Sequence, residues 1–230
     1  MVGQFRPALL VVDLQEDFCP PNGSLAVPSG RDVIPVINVL LELPFVTKIA
    51  TKDWHPPDHI SFATNHEGKQ PYTDSVKIVN PNNAAESYES RLWPVHCVQG
   101  TKGAELVPEL DIKKIDRVVE KGTDARIEMY SPFYDPFTTP RVCDSGLAGV
   151  LRESRITDVY VVGLAADYCV RNAALDAAKE GFKTYLVEDG TRPVDAAQWP
   201  ECKKGIEAAG VKVVSMEAPE VQRLMTSTVV

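Results

Sequence analysis

The chain alternates short continuous apolar runs with segments whose apolar residues recur at helical spacing. The continuous runs predict six strands, at residues 8–12, 45–51, 117–120, 159–162, 183–187 and 211–215. The periodic segments predict helices at 31–43, 145–155, 170–180 and 196–209. Strands that are apolar on both faces and are joined by helices form right-handed crossovers in a parallel sheet. We therefore predict an α/β fold of three layers, αβα, with a central, mostly parallel sheet of about six strands.

The length of the chain favours one domain. An α/β sequence of 230 residues commonly forms a single unit, so we predict one domain over residues 1–230. The segment 55–103 differs from the rest, because it is rich in Pro, Asn, Ser and Tyr and has little periodicity. It predicts a long loop-rich insertion, and connections of this length are usually functional or mobile.

Charge and cysteine usage restrict the partners and the compartment. A net charge of −8 without a Lys/Arg cluster argues against nucleic acid. No run approaches the roughly 20 apolar residues of a membrane span, and the first residues lack a secretory signal. The 5 cysteines are scattered without a C-x-x-C pair, so we expect no disulfide framework and no zinc knuckle. We expect a cytoplasmic protein that acts on a small molecule, with a homo-oligomer left open.

Cys169 lies just past a predicted strand and at the start of a predicted helix, within VVGLAADYCVRNAALDAAKEG. Backbone N–H groups converge at a helix N-terminus and favour an anion, so a thiol placed there should ionise more readily than a free one. The alternative is an inert packed cysteine, because free cysteine is among the most buried residue types.

Other chemically useful side chains also follow predicted strands. Asp13 comes directly after LLVV, where partial burial would raise its carboxyl pKa toward that of a useful base. Lys121 follows VVE at the end of the third strand. Taken alone, Asp13 could be a capping residue and Lys121 a solvated one. Because parallel strands end at one edge of a sheet, we expect both to lie beside Cys169.

A possible metal site lies at the same edge. Asp53 and His55 are two residues apart in an extended segment, so their side chains point the same way. His96, in RLWPVHCVQG, could complete a set of two imidazoles and one carboxylate, which suits Zn²⁺, Fe²⁺ or Mn²⁺. His59 is a further possible ligand. An isolated D-x-H pair is weak support for a metal site.

Five stretches of the chain resemble, in order, the motifs of nicotinamidases in the isochorismatase-like cysteine hydrolase superfamily. They are VVDLQEDF, TKDWHPPDHISF, LWPVHCVQGTKGAEL, VEKG and VVGLAADYCV. The resemblance runs from about residue 8 to about residue 215, and the segment before Trp93 looks more like the longer eukaryotic type. It implies the isochorismatase-like hydrolase fold and an amidohydrolase that converts nicotinamide to nicotinate and ammonia through a cysteine thioester, in NAD salvage.

The resemblance also implies roles for particular residues. Cys169 would be the nucleophile, Asp13 the general base and acid, and Lys121 the charge that lowers the thiol pKa. A further set would bind one divalent metal ion, most simply Zn²⁺ with Fe²⁺ or Mn²⁺ as alternatives, which holds the pyridine nitrogen: Asp53, His55 and His96. Whether His59, Glu128 or water completes the metal shell is left open.

Family members have a cis peptide that corresponds here to Leu164–Ala165. The backbone N–H groups of Ala165 and Cys169 would then form the oxyanion hole. The ring pocket would be walled by three aromatic residues, namely Phe18, Trp93 and Tyr168.

Three other readings remain open at this stage. The chain could be a sister hydrolase that acts on another small amide, a carbamoyl compound or isochorismate. It could be a cysteine–histidine hydrolase with His96 as the base, which leaves Asp13 and Lys121 without a role. It could also be a non-catalytic α/β binding module in which Cys169 is only packed.

Overall fold

A parallel sheet runs through the centre of the computed structural model, which describes residues 4–226. The strands in chain order are β1 (Pro7–Val12), β2 (Thr47–Asp53), β3 (Ser75–Asn80), β4 (Asn83–Arg91), β5 (Arg117–Lys121), β6 (Asp158–Leu164), β7 (Lys183–Arg192) and β8 (Lys212–Val214). Six of them form one sheet in the order β5-β2-β1-β6-β7-β8, and every pairing in it is parallel. This confirms the predicted mostly parallel sheet.

Helices cover both faces of this sheet. They are α1 (Ile34–Glu42), α2 (Leu147–Glu153), α3 (Cys169–Lys179), α4 (Trp199–Ala208) and α5 (Pro219–Thr226). Residues of α1 and α5 pack in one apolar cluster, whereas residues of α2, α3 and α4 pack in a second. The three-layer αβα arrangement predicted from the sequence is therefore present.

Successive side chains of the central strand β1 point to opposite faces of the sheet, so they alternate between the two clusters. Leu9 and Val11 belong to the cluster of α1 and α5, and Leu10 and Val12 to the cluster of α2, α3 and α4. All four are at most 1% exposed. Burying such a side chain stabilises the fold by about 1.5–3 kcal/mol, which explains why the strand is apolar at every position.

The segment 55–103 contains an antiparallel hairpin, β3 with β4, that the sequence prediction of a loop-rich insertion missed. Its signal is weak because most of its side chains are exposed and β4 reads NAAESYESR, with few residues that favour strands. The hairpin is held by a small cluster in which the Tyr88 and Phe137 rings lie 5.0 Å apart. Ile78, opposite Tyr88 in the register, is buried in the same cluster.

Other differences are in the ends of elements. The predicted first helix begins with a 3-10 turn, Gly30–Val33, before α1. Strand β7 extends to Arg192, five residues beyond the predicted end at 187. Helix α5 was not predicted; it is a short element whose polar residues outnumber the buried Val221 and Leu224.

The carboxyl ends of the strands bring the chemically useful residues to one edge. Asp13 follows β1, whereas Asp53 and Lys121 are the last residues of β2 and β5. Ala165 follows β6, and Cys169 opens α3. Within residues 4–226, no helix has both the length and the apolar character needed to cross a membrane.

Candidate active site

The ammonium of Lys121 is the centre of the site. Its Nζ lies 2.9 Å from Asp13 Oδ2 and 2.5 Å from Asp53 Oδ1. It also donates to the carbonyl of Met129 at 3.2 Å and to Cys169 Sγ at 3.5 Å. Burial opposes the charge, but the two carboxylates outweigh it and raise the pKa of Lys121 well above its usual value. The structure thus brings Asp13, Lys121 and Cys169 together around one permanent positive charge.

Asp13 is fully buried and is held by Thr51 of β2. The Thr51 hydroxyl donates to Asp13 Oδ1 at 2.5 Å and accepts from the Asp13 N–H at 3.1 Å. Burial raises the pKa of the Asp13 carboxyl, and Lys121 opposes this only in part. The direction is the one predicted from the position of Asp13 after an apolar strand. A carboxylate with a raised pKa is a better proton acceptor.

Cys169 does not have the acidic thiol that its position at a helix N-terminus predicts. Burial raises its pKa well above the ordinary value, because Lys121 alone does not offset desolvation together with the nearby charges of Asp13 and Asp53. The expectation of a readily ionised thiol is therefore wrong for the free site. Because the resting sulfur keeps its proton, a base must remove it during attack.

The predicted metal-ligating residues also converge. Ligand atoms of Asp53, His55 and His96 all lie within 4.8 Å of one another, and all three residues are buried. The two carboxylate oxygens of Asp53 face different partners. Oδ1 contacts Lys121, and Oδ2 lies 3.7 Å from His55 Nε2. Burial alone would raise the pKa of Asp53, but Lys121 and His55 hold it well below its usual range. The carboxylate is therefore ionised, as a metal ligand must be.

The two imidazoles are oriented by backbone carbonyls. His55 Nδ1–H donates to the carbonyl of Gly122 at 2.8 Å, and His96 Nδ1–H donates to the carbonyl of Pro94 at 2.7 Å. His55 Nε2 is left buried with no hydrogen-bond partner among residues 4–226. Burial and the neighbouring His55 lower the pKa of His96 to about 4, so its ring is neutral. Burial opposes a charge on His55, but the Asp53 carboxylate raises the pKa of this imidazole. A buried, unpaired imidazole nitrogen that faces an ionised carboxylate fits a divalent cation such as Zn²⁺.

Gly122 is required beside His55. Its φ is +66°, and a Cβ there would lie 2.4 Å from His55 Cε1. Only glycine lets the chain turn after β5 while the imidazole rests on its backbone.

Neither His59 nor Glu128 joins this group of three. Both nitrogens of His59 are engaged, since Nε2–H donates to the carbonyl of Ile127 at 3.0 Å and Nδ1 faces the Ser61 hydroxyl at 2.8 Å. Burial, reinforced by His55, lowers the pKa of His59 to about 2. Glu128 is buried, and one of its oxygens accepts from the N–H of Met129 at 3.0 Å.

A cleft of about 390 Å³, mouth included, opens above these groups. Phe18, Trp93 and Tyr168 line it as the resemblance implied, together with Asp53, His96 and Cys169. Tyr130 lines it too and was missed by the sequence analysis. The Tyr130 hydroxyl accepts from Trp93 Nε1 at 3.0 Å. No motif marks this tyrosine, because its role depends on a contact with a residue 37 positions earlier.

The backbone before Cys169 has the shape that the resemblance implied. The Leu164–Ala165 peptide is cis. Among residues 4–226, neither the Ala165 N–H nor the Cys169 N–H donates to a backbone carbonyl outside regular elements.

Comparison with known proteins decides the family. The model of the Isochorismatase domain matches residues 7–218. The chain belongs to the isochorismatase family. This family member is 43% identical over 188 residues to a nicotinamidase from Acinetobacter baylyi, with 82% of each chain covered.

Solved structures of the family agree with the fold. The yeast nicotinamidase bound to the inhibitor nicotinaldehyde superimposes with a TM-score of 0.85 at 36% identity, covering 91% of this chain and 99% of that one. A pyrazinamidase of Pyrococcus horikoshii in complex with zinc has a TM-score of 0.69 at 33% identity, covering 91% of this chain and 99% of that one.

Proposed function

We propose that this isochorismatase family member is a nicotinamidase, which hydrolyses nicotinamide to nicotinate and ammonia in NAD salvage. The observation that carries the proposal is the single cluster in which Lys121 Nζ contacts Asp13, Asp53 and Cys169, the last two of which line a cleft with aromatic walls. Named nicotinamidases among its relatives, one of them 43% identical, support the substrate. An αβ binding module would have no use for two carboxylates and a thiol buried around one ammonium.

The first half of the reaction forms an acyl-enzyme. Asp13 takes the proton of Cys169, and the sulfur attacks the carboxamide carbon. The ammonium of Lys121, 3.5 Å from Sγ, offsets the negative charge as the proton leaves. The N–H groups of Ala165 and Cys169 stabilise the tetrahedral oxygen. The C–N bond then breaks as Asp13 returns the proton to the departing ammonia, and a thioester remains.

The second half releases the product. Asp13 accepts a proton from water, whose oxygen attacks the thioester carbon, and the C–S bond breaks to give nicotinic acid, which loses its carboxyl proton to solvent as nicotinate. The proton returns to the sulfur, which restores the resting thiol. One carboxylate therefore alternates between base and acid, and its raised pKa suits both tasks.

Asp53, His55 and His96 would hold one divalent metal ion, for which Zn²⁺ is the first choice and Fe²⁺ and Mn²⁺ are alternatives. When bound, the ion supplies a Lewis-acidic anchor for the pyridine nitrogen and so orients the substrate. Phe18, His96 and Trp93 line the same cleft. His59 lacks a free nitrogen, so we propose that water rather than His59 completes the shell.

The location and the partners of the enzyme are part of the same proposal. We propose that it is cytoplasmic, acts on free nicotinamide and uses neither nucleic acid nor membrane as a partner. The net charge of −8 argues against nucleic acid and membrane as partners, because polyanions and anionic lipid surfaces repel such a chain.

The test is release of ammonia from nicotinamide by the Zn²⁺-loaded protein, with nicotinate measured in parallel. We expect equal amounts of both products, and a lower kcat/KM after removal of the metal with 1,10-phenanthroline. Reloading with Zn²⁺, Fe²⁺ or Mn²⁺ identifies the ion that restores activity. A panel of pyrazinamide and carbamoyl compounds separates this activity from that of a sister hydrolase. Turnover of a carbamoyl compound but not of nicotinamide would contradict the proposal.

A further inference from the structure

The side chain of Gln15 forms two hydrogen bonds with the backbone of Asp53, one of the three residues proposed to bind the metal. Its Nε2 donates to the carbonyl of Asp53 at 2.8 Å, and its Oε1 accepts from the N–H of the same residue at 2.8 Å. Nε2 also donates to the carbonyl of Ala104 at 2.8 Å. Gln15 is 0% exposed. Each of its polar atoms is therefore committed to backbone at the end of β2 or in the loop that follows His96.

Asp17 makes a corresponding contact with the other part of the site. Its Oδ2 accepts from the N–H of Cys97 at 2.7 Å, directly after His96. Its carboxylate also packs on Gly103, where a Cβ would lie 2.1 Å from Asp17 Oδ2. Cys97 has a φ of +46°, which few residues other than glycine adopt. The Asp17 contact holds the chain in this conformation beside His96.

We propose that Gln15 and Asp17 are positioning residues that set the spacing of Asp53 and His96 without binding the metal themselves. The proposal rests on the metal role given above. Metal ligands must keep their distances within about 0.2 Å, and His96 lies in a loop outside the central sheet. Gln15 ties Asp53 to this loop at Ala104, and Asp17 ties the β1 end to Cys97.

Loss of the Gln15 contacts or of the Asp17 contact should leave the site folded. A separate bridge joins the same two segments, because the His55 N–H donates to the carbonyl of Cys97 at 3.0 Å and the Gln99 N–H donates to that of His55 at 2.9 Å. Removal of the Gln15 or Asp17 bonds should therefore loosen ligand spacing rather than unfold the edge of the sheet.

The first test is Gln15→Glu, which keeps an acceptor for the Asp53 N–H and removes both N–H donors. Zn²⁺ affinity of the metal-free protein is measured by competition with a chromogenic chelator. We expect roughly 10- to 100-fold weaker binding, the usual effect of losing a group that orients a ligand. The visible spectrum of the Co²⁺ form should change as well, which a purely structural role would not require. Gln222→Glu is the matched control, because exposed Gln222 also donates from Nε2 to a carbonyl, that of Met216 at 2.9 Å.

The second test uses Asp17, whose two variants differ in one property. Asp17→Asn keeps an oxygen that can accept from the Cys97 N–H, whereas Asp17→Ala does not. We expect Zn²⁺ affinity to fall in Asp17→Ala and to be largely restored in Asp17→Asn. Gln15→Met, which preserves volume without a buried carboxylate, replaces Gln15→Glu if the latter fails to fold.

The outcomes separate this inference from the proposed function. If wild-type protein binds Zn²⁺ and hydrolyses nicotinamide, but the Gln15 and Asp17→Ala variants bind Zn²⁺ within twofold of wild type, the positioning role is overturned. If the wild-type protein does not bind Zn²⁺, both the metal site and the positioning role are overturned.

Discussion

Asp13 and Cys169 both hold their protons more tightly than they would in water, for the same reason. Each is buried, and burial penalises the charged form of an acid. Lys121 is the only group of the three whose charge the site stabilises, because two carboxylates face it. This arrangement places the thiol of Cys169 beside the Asp13 carboxyl group, since ligand atoms of the two side chains lie within 4.8 Å of each other. It favours proton transfer from thiol to carboxylate during attack over a thiolate formed in advance.

Replacement of the nucleophile tests this arrangement directly. We expect Cys169→Ala to lower kcat by about 10⁶-fold, as for other acyl-transfer nucleophiles, while nicotinamide still binds. Binding is followed by calorimetry with the metal-loaded protein. The control is Cys202→Ala, a partly exposed cysteine of α4 that should leave kcat unchanged. Ordinary turnover in Cys169→Ala would rule out thiol chemistry.

The hydrogen bond from Thr51 to Asp13 should influence how kcat/KM depends on pH. This bond favours the ionised carboxylate, so Thr51→Val should raise the pKa of Asp13 further. The base must be ionised to act, and a higher pKa leaves less of it ionised at a given pH. The acid limb of the kcat/KM profile should therefore move to higher pH. The control is Thr184→Val, which removes a buried threonine hydroxyl that donates to the carbonyl of Phe182. This substitution should leave the acid limb in place. An unmoved limb in Thr51→Val would exclude Asp13 as the base.

Beside its apolar cluster, the β3–β4 hairpin is attached to the loop at Thr138 by a carboxylate that accepts several hydrogen bonds. Glu86 of β4 accepts from the Thr138 N–H at 2.7 Å, the Thr138 hydroxyl at 2.8 Å, the Thr139 N–H at 3.2 Å and Asn80 Nδ2 at 2.8 Å. Desolvation opposes ionisation, but the bonds from Asn80, Thr138 and Thr139 lower the pKa of Glu86 to about 2. The hairpin matters for the site because it ends at Arg91, whose Nη1 donates to the Tyr168 hydroxyl at 2.9 Å.

We expect Glu86→Gln to weaken the attachment of the hairpin to the loop at Thr138. The NH₂ group of the glutamine is a donor, and it would replace a carboxylate oxygen that now accepts from N–H groups. Hydrogen exchange at the Thr138 and Thr139 amides should become faster. In wild-type protein the attachment should be complete above the ordinary carboxyl pKa of 4.5 and weaken as pH falls toward about 2. Glu89→Gln on the same strand, where the Ser75 hydroxyl donates to the carboxylate at 3.0 Å, is the control. Equal exchange rates in the two variants would show that Glu86 is not the anchor.

The molecule as a whole is stabilised by the two apolar clusters on either side of the sheet. Helix α1 illustrates the contrast between buried and exposed positions, since Leu40 is 0% exposed and its neighbour Val39 is 50% exposed. A cavity left in such a core loses both the burial and the contacts of the removed atoms.

Leu40→Ala should lower the free energy of unfolding by about 2–5 kcal/mol, whereas Val39→Ala should change it by about 0.5 kcal/mol or less. Urea unfolding of the metal-free protein measures both values. Metal is left out because a ligand that binds only the folded state would add its own stabilisation. Similar losses in the two variants would mean that α1 does not pack on the sheet as described.

The main elements could be predicted because their signal is local. Strands such as β1 and β6 are continuous apolar runs, and a parallel sheet necessarily gathers the residues that follow them, which is why Asp13, Lys121 and Cys169 were expected together. The β3–β4 hairpin and α5 were missed because their side chains are largely polar and exposed, so their stability comes from packing on distant segments. Tyr130 was missed for the same reason, since its bond to Trp93 spans 37 residues.

The sequence by itself determined the order of strands and helices, and therefore which residues meet at the edge of the sheet. Only the tertiary structure decided their chemical state. The unpaired nitrogen of His55 depends on Gly122, 67 residues away, and the protonated thiol of Cys169 depends on burial beside Asp13 and Asp53. Periodicity is a property of neighbouring residues, whereas desolvation and hydrogen-bond partners arise from parts of the chain that meet only after folding.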